Sequence, residues 1–142
     1  RDKIAFGNEL HNSSSTKVGS TFSTTQTIFA NCVTGSTLTI TTNGTSRIMV
    51  GMAGVWYSGI VTTMYGGFKI DGVSYQGNAG IVAFDVIASL VNLLYLFNFT
   101  AISDVLSAGT HSVCLDVRSN NGSMNVYVDG NITNQFWVQE LR

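Results

Sequence analysis

The sequence predicts an all-β chain: an antiparallel jelly roll or β-sandwich of about eight strands. Three observations carry that prediction. Apolar and polar residues alternate with a period of two through most of the chain, Asn-Gly and Asp-Gly pairs interrupt the alternation where tight turns are needed, and no stretch has the periodicity of a long helix. With 142 residues, 44% of them hydrophobic, the chain is the size of one domain and can bury a core without metals or covalent staples. Residues 1–15 read as a polar N-terminal connector or arm ending in Ser13-Ser14-Ser15, and residues 16–142 as the single sandwich domain. The start at Arg1 reads as a processed form or a piece cut from something longer.

The elements follow in order. Thr24 to Val33 is expected as a first strand and Thr37 to Thr41 as a second, with Asn43-Gly44 turning the chain. Arg47 to Trp56 is a long strand in which Gly51 and Gly54 mark a bulge or a close approach by another segment. Gly66 to Tyr75 is the clearest hairpin, because Asp71-Gly72 supplies the positive φ values of a type I′ turn. Val113 to Val117, Met124 to Val128 and a last strand through Glu140 are separated by Asn121-Gly122 and Asp129-Gly130.

The most apolar stretch, Ile81 to Phe99, approaches the length of a membrane span, but Asp85, Asn92 and Asn98 interrupt it. Its β-branched and aromatic content favours two adjacent strands bent near Ala88-Ser89, buried on both faces. A chain of this size has one core to offer, so the second covering is expected from sister chains around a threefold axis. Leu90, Val91, Leu93, Leu94, Leu96, Phe97 and Phe99 are the expected subunit interface of that homotrimer. The chain has no proline to blunt exposed edge strands, so edges should be closed or covered by neighbours.

Charged residues make up 11% of the chain, the net charge is −1, and the seven Lys and Arg are scattered, which argues against nucleic acid. The two cysteines, Cys32 and Cys114, permit one disulfide, but both lie in strand-like runs where a thiol acts as a small apolar filler; buried thiols are expected. Asp104, His111 and Ser112 are the nearest approach to a catalytic triad, yet no nucleophile elbow accompanies them and neighbours in a strand point to opposite faces. His11 and His111 lack ligand-spaced partners, so no metal, cofactor or enzyme activity is expected. Asn12, Asn43, Asn98, Asn121 and Asn131 head glycosylation sequons, a pattern that arises by chance in a chain so rich in Asn, Ser and Thr. Trp56, Tyr57 and Trp137 are candidate stacking aromatics for a sugar, which leaves a secreted carbohydrate-binding β-sandwich as the alternative reading.

A resemblance adds to this. Thr21 to Thr25, Val33 to Thr42, Arg47 to Val50, Phe68 to Gly72, Ala108 to Val113 and Trp137 to Leu141 together resemble the β-rich terminal domains of tailed-bacteriophage fibres and related virion surface proteins, over roughly Thr16 to the end. That resemblance implies a trimeric jelly roll of the tumour-necrosis-factor-like kind. It further implies a non-enzymatic component of the virion, either a fibre tip that binds a host-surface glycan or protein or a decoration protein on the capsid, in contact with other virion proteins. No binding residue is carried over with it.

Overall fold

The computed structural model describes residues 12–142. Eleven strands build two antiparallel sheets packed face to face: β1 (Ser13–Val18), β2 (Phe22–Thr24), β3 (Leu38–Asn43), β4 (Arg47–Tyr57), β5 (Thr62–Ile70), β6 (Val73–Ser74), β7 (Val82–Val86), β8 (Tyr95–Ile102), β9 (Ala108–Ser119), β10 (Met124–Tyr127) and β11 (Asn134–Leu141). The expected all-β sandwich is the observed one.

The first sheet is organised on β4. From Met49 to Trp56 it pairs with β8 on one side. On the other side it is shared by β11, opposite Arg47 to Ala53, and β10, opposite Val55 to Tyr57; β1 and β2 extend these two branches. Asn134 occupies the fork. Its side chain is fully buried, accepts a hydrogen bond from the Val55 N–H at 2.9 Å and donates one to the Tyr127 carbonyl. A Cβ at Gly54 would stand 1.7 Å from the Asn134 Oδ1, so that glycine makes room for the fork. The second sheet runs β3, β9, β5, with β7 and β6 sharing the far side of β5.

The alternation read from sequence is what fills the space between the sheets. Ile48, Val50, Met52 and Trp56 from β4 and Phe136 and Val138 from β11 face Met64, Phe68, Val113, Leu115 and Val117 from β5 and β9, all essentially without exposure. Each such side chain contributes roughly 1.5–3 kcal/mol through removal from water. Asp71 and Gly72 have φ of 51° and 80°, the pair of positive values expected of the type I′ turn between β5 and β6.

Four expectations are corrected. Thr24 to Val33 is not a strand: only Phe22–Thr24 pairs, and residues 25–37 form an irregular segment across the outside of β9, with one isolated β-bridge, between Cys32 and Asp116. Cys32 and Cys114 are therefore not thiols but a disulfide, because that segment brings their Cα atoms to 5.8 Å, within bonding range. The expected arm is strand from Ser13 onward, paired with β11, while residues 1–11 of it lie outside the described residues. Ile81 to Phe99 does bend at a single 3-10 turn, Ala88–Leu90, but its two strands belong to different sheets and neither is buried on both faces. Phe97 and Phe99 point into the core, whereas Leu96, Asn98 and Thr100 point away from it.

Candidate functional site

The outer faces of the two sheets differ. On the second sheet, Cys114, Asp116 and Arg118 of β9 point outward and yet are buried, because residues 25–37 and the stretch after β6 lie over them. The disulfide is one attachment. Gln26 donates to the Val117 carbonyl and to the Asp116 carboxylate, Lys69 donates to the Ala30 carbonyl, and the Arg118 guanidinium lies 3.8 Å over the Tyr65 ring and 5.4 Å from the Phe29 ring. Asp116 is fully enclosed and 3.6 Å from the Lys69 ammonium. Desolvation pushes its carboxyl up to about 6, against the opposing pull of Lys69 and the hydrogen bonds from Val117 and Ser74.

Among the described residues no such cover lies on the first sheet. Its outer face presents the odd-numbered residues of β4 and β11 and the even-numbered residues of β8. Trp137 of β11 pairs with Gly51 of β4, and the indole lies across that glycine: a Cβ at Gly51 would stand 2.0 Å from the ring carbon Cζ2. The close approach that the glycine signals in the sequence is this ring. Gln135 and Gln139 flank Trp137 on the same face, and Thr100 and Ser15 sit beyond Gly51 and Trp137 in the same cross-strand row. A hollow of about 350 Å³ opens beside Gln135, between Ala53 and Val55 of β4, Leu96 and Asn98 of β8, and Thr133. Tyr57 shares this face about 20 Å further along β4 and meets Tyr127 edge to face at 5.9 Å.

The sequence-predicted aromatics therefore separate. Trp137 and Tyr57 belong to one outward face, while Trp56 is fully buried, stacked on Phe97 at 4.2 Å and pressed against Gly66, with no ring face left for a ligand. The expected interface residues also separate. Phe97 and Phe99 are in the core of this chain and Leu90 and Val91 pack against it, but Leu93, Leu94 and Leu96 are exposed, Leu96 at 88%. These three leucines, with Ile102, follow one edge of the first sheet. The Ser103 N–H donates to the Ile48 carbonyl, so odd-numbered residues of β8 direct their backbone groups at β4 and even-numbered ones direct theirs off the edge. Among the described residues the outward backbone groups of Leu96, Asn98 and Thr100 have no hydrogen-bond partner.

His111 is not poised for proton transfer. Its Nδ1 meets the Asp71 carboxylate at 2.7 Å and its Nε2 the Ser107 carbonyl at 2.9 Å, so both ring nitrogens face acceptors, an arrangement that favours the protonated ring. The Asp71 hydrogen bond, then that to Ser107, raises the histidine above its ordinary value, while the His111 hydrogen bond, then that from the Ser112 N–H, lowers the aspartate. Ser112 offers its backbone N–H to Asp71, and Asp104 lies instead beside Arg47, at 3.9 Å. The structure thus does not assemble Asp104, His111 and Ser112. Among the described residues no three of His, Cys, Asp and Glu cluster to hold a metal ion, and no helix is long and apolar enough to cross a membrane.

No protein-family model matches this sequence, and no curated protein matches it. Solved structures do share its fold. The VP2 subviral particle of infectious bursal disease virus superposes with a TM-score of 0.54 over 92% of this chain and 33% of that one, at 12% sequence identity. The likeness is one of fold. A structure of the Gx strain of the same virus aligns over 94% of this chain and 32% of that one, at 12% identity and a TM-score of 0.46. The chain spans about a third of the length of these two viral chains.

Proposed function

We propose that this chain is a non-enzymatic structural protein of a virus particle, assembling through the edge of its first sheet. The observation that carries the reading is the edge at β8, which no other described residue covers. Its sequence from Tyr95 to Ile102 holds no charge and no proline, it directs unpaired backbone groups outward, and Leu96 stands 88% exposed with Leu93 and Leu94 beside it. Monomeric proteins blunt such an edge, because it templates pairing with another chain. A sandwich fold shared with a protein described as a subviral particle supports the same reading.

In the finer form of the proposal the chain is a homotrimer exposed on the surface of a tailed-bacteriophage virion, as a fibre or capsid decoration component touching other virion proteins. Mass photometry at micromolar concentration tests it. A trimer is expected for the wild type, and Leu96→Glu should give a monomer with an unchanged circular dichroism spectrum, since that side chain touches little of its own fold. A wild type that stays monomeric overturns the proposal.

A further inference from the structure

We propose that the bare outer face of the first sheet is a binding site for a neutral oligosaccharide, with Trp137 as its stacking platform. The argument starts from the indole. Because Gly51 has no side chain, the ring lies over the backbone of β4 rather than standing off it, and Trp137 stays partly exposed on the outer face. A flat, immobilised aromatic surface matches the C–H face of a pyranose, and its ordering cost is already met by folding.

The surroundings supply the second requirement. A sugar's hydroxyls need donors and acceptors around the platform, and Gln135, Gln139, Asn98, Thr100 and Ser15 provide amides and hydroxyls on that face. None of these five side chains makes a hydrogen bond to another described residue. That contrasts with the other exterior face, where Gln26, Lys69, Ser74 and Arg118 are all engaged within the chain. The hollow beside Gln135 gives a neighbouring ring a place to sit, and the Tyr57 and Tyr127 pair ends the row at the length of a short oligosaccharide.

Charge selects among occupants. Charge is sparse and of both signs: Lys17 stands opposite Gln135, Arg47 is paired with Asp104 at one end of the face, and Asp129 accepts from the Tyr127 hydroxyl at the other. A nucleic acid would require clustered cations. A protein partner would favour a continuous apolar centre, whereas here Gln135, Gln139, Thr100 and Ser15 stand among Met49 and Ala53 around the indole, and the most exposed apolar side chains, Leu96 and Ile102, lie on β8 at the edge. A neutral saccharide fits both facts. The two proposals meet at Leu96, which walls the hollow here and carries the edge contact there, while the indole platform itself lies two strands away on β11.

The test is a titration of the intact chain with neutral hexasaccharides of glucose, mannose, galactose and N-acetylglucosamine, in α and β linkages, read by calorimetry and indole fluorescence. Sialylated and sulfated oligosaccharides and a single-stranded oligonucleotide are run beside them. At least one neutral sugar is expected to bind, with saturation-transfer NMR on the wild type placing it on an indole. Trp137→Ala should weaken that binding by roughly tenfold or more, and Gln135→Ala by less. Gly51→Ala, which pushes the ring off its seat, should act like Trp137→Ala. Mass photometry of Trp137→Ala should match the wild type, so that a failure here is distinguishable from a failure of the edge. Absence of binding by every neutral sugar at millimolar concentration, a preference for the charged ligands, or binding unchanged in Trp137→Ala would each overturn the inference.

Discussion

Breaking the disulfide between Cys32 and Cys114 removes a constraint whose size follows from its place in the chain. The two residues are 82 positions apart. On the chain-entropy relation, closing a loop of that length costs the unfolded state about 15 cal/mol/K, or about 4.5 kcal/mol at room temperature. For a domain of this size, whose unfolding entropy is roughly 0.3 kcal/mol/K, that corresponds to a fall in Tm of about 15 °C. Cys32→Ser with Cys114→Ser should therefore unfold at markedly lower urea, with reductant lowering the wild type by a similar amount and leaving the variant unchanged. The loss should also have a local component. Once untied, residues 25–37 retain the Gln26 and Lys69 contacts and the Val33 N–H bond to the Leu115 carbonyl, so hydrogen exchange should rise in that segment before it rises in β4 or β9. A double variant within about 1 kcal/mol of the wild type would refute this, because either the bond does not form or the unfolded chain is already constrained at that loop.

Two further outcomes rest on buried polar groups. Asp116 is held at about 6 against 3.8 when free, so the folded chain binds the extra proton between those values; its contribution favours the fold below about pH 4 and is lost as pH rises through 6, by up to about 3 kcal/mol. Urea titrations of the wild type and Asp116→Asn at several pH values should diverge in slope across that window, and parallel curves would count against the assignment. His111 adds stability at low pH that is lost as pH rises through its raised value, but it does so equally in both proteins. Asn134→Ala strands the Val55 N–H and the Tyr127 carbonyl at the fork of the first sheet, each costing about 1–3 kcal/mol in the same unfolding assay.

What was legible in the sequence was what local chemistry decides. The turn at Asp71-Gly72 could be read because positive φ at two successive positions has few tenants, and the strand phases could be read because the core needs every second residue. The same phase sorts the aromatics: Trp56 falls in step with Ile48, Val50 and Met52 and is buried, while Tyr57 falls out of step and emerges. Residues 25–37 could not be read, because Phe29 to Val33 imitates a strand while what fixes it lies some ninety positions away, in Asp116 and Val117. Ile81 to Phe99 looked apolar on both faces because one window spanned two strands that pass to different sheets at Ala88–Leu90. The candidate face was half legible: Trp137 and the significance of Gly51 could be seen separately, but only the register of β11 on β4 puts one on the other.

The unequal dressing of the two sheets also governs where this chain tolerates change. A new side chain at position 100 or 135 meets solvent, whereas one at position 116 or 118 meets another part of the polypeptide and must fit it. Divergent versions of this protein should therefore keep one wall nearly constant and rewrite the other, acquiring new exteriors without disturbing the interior.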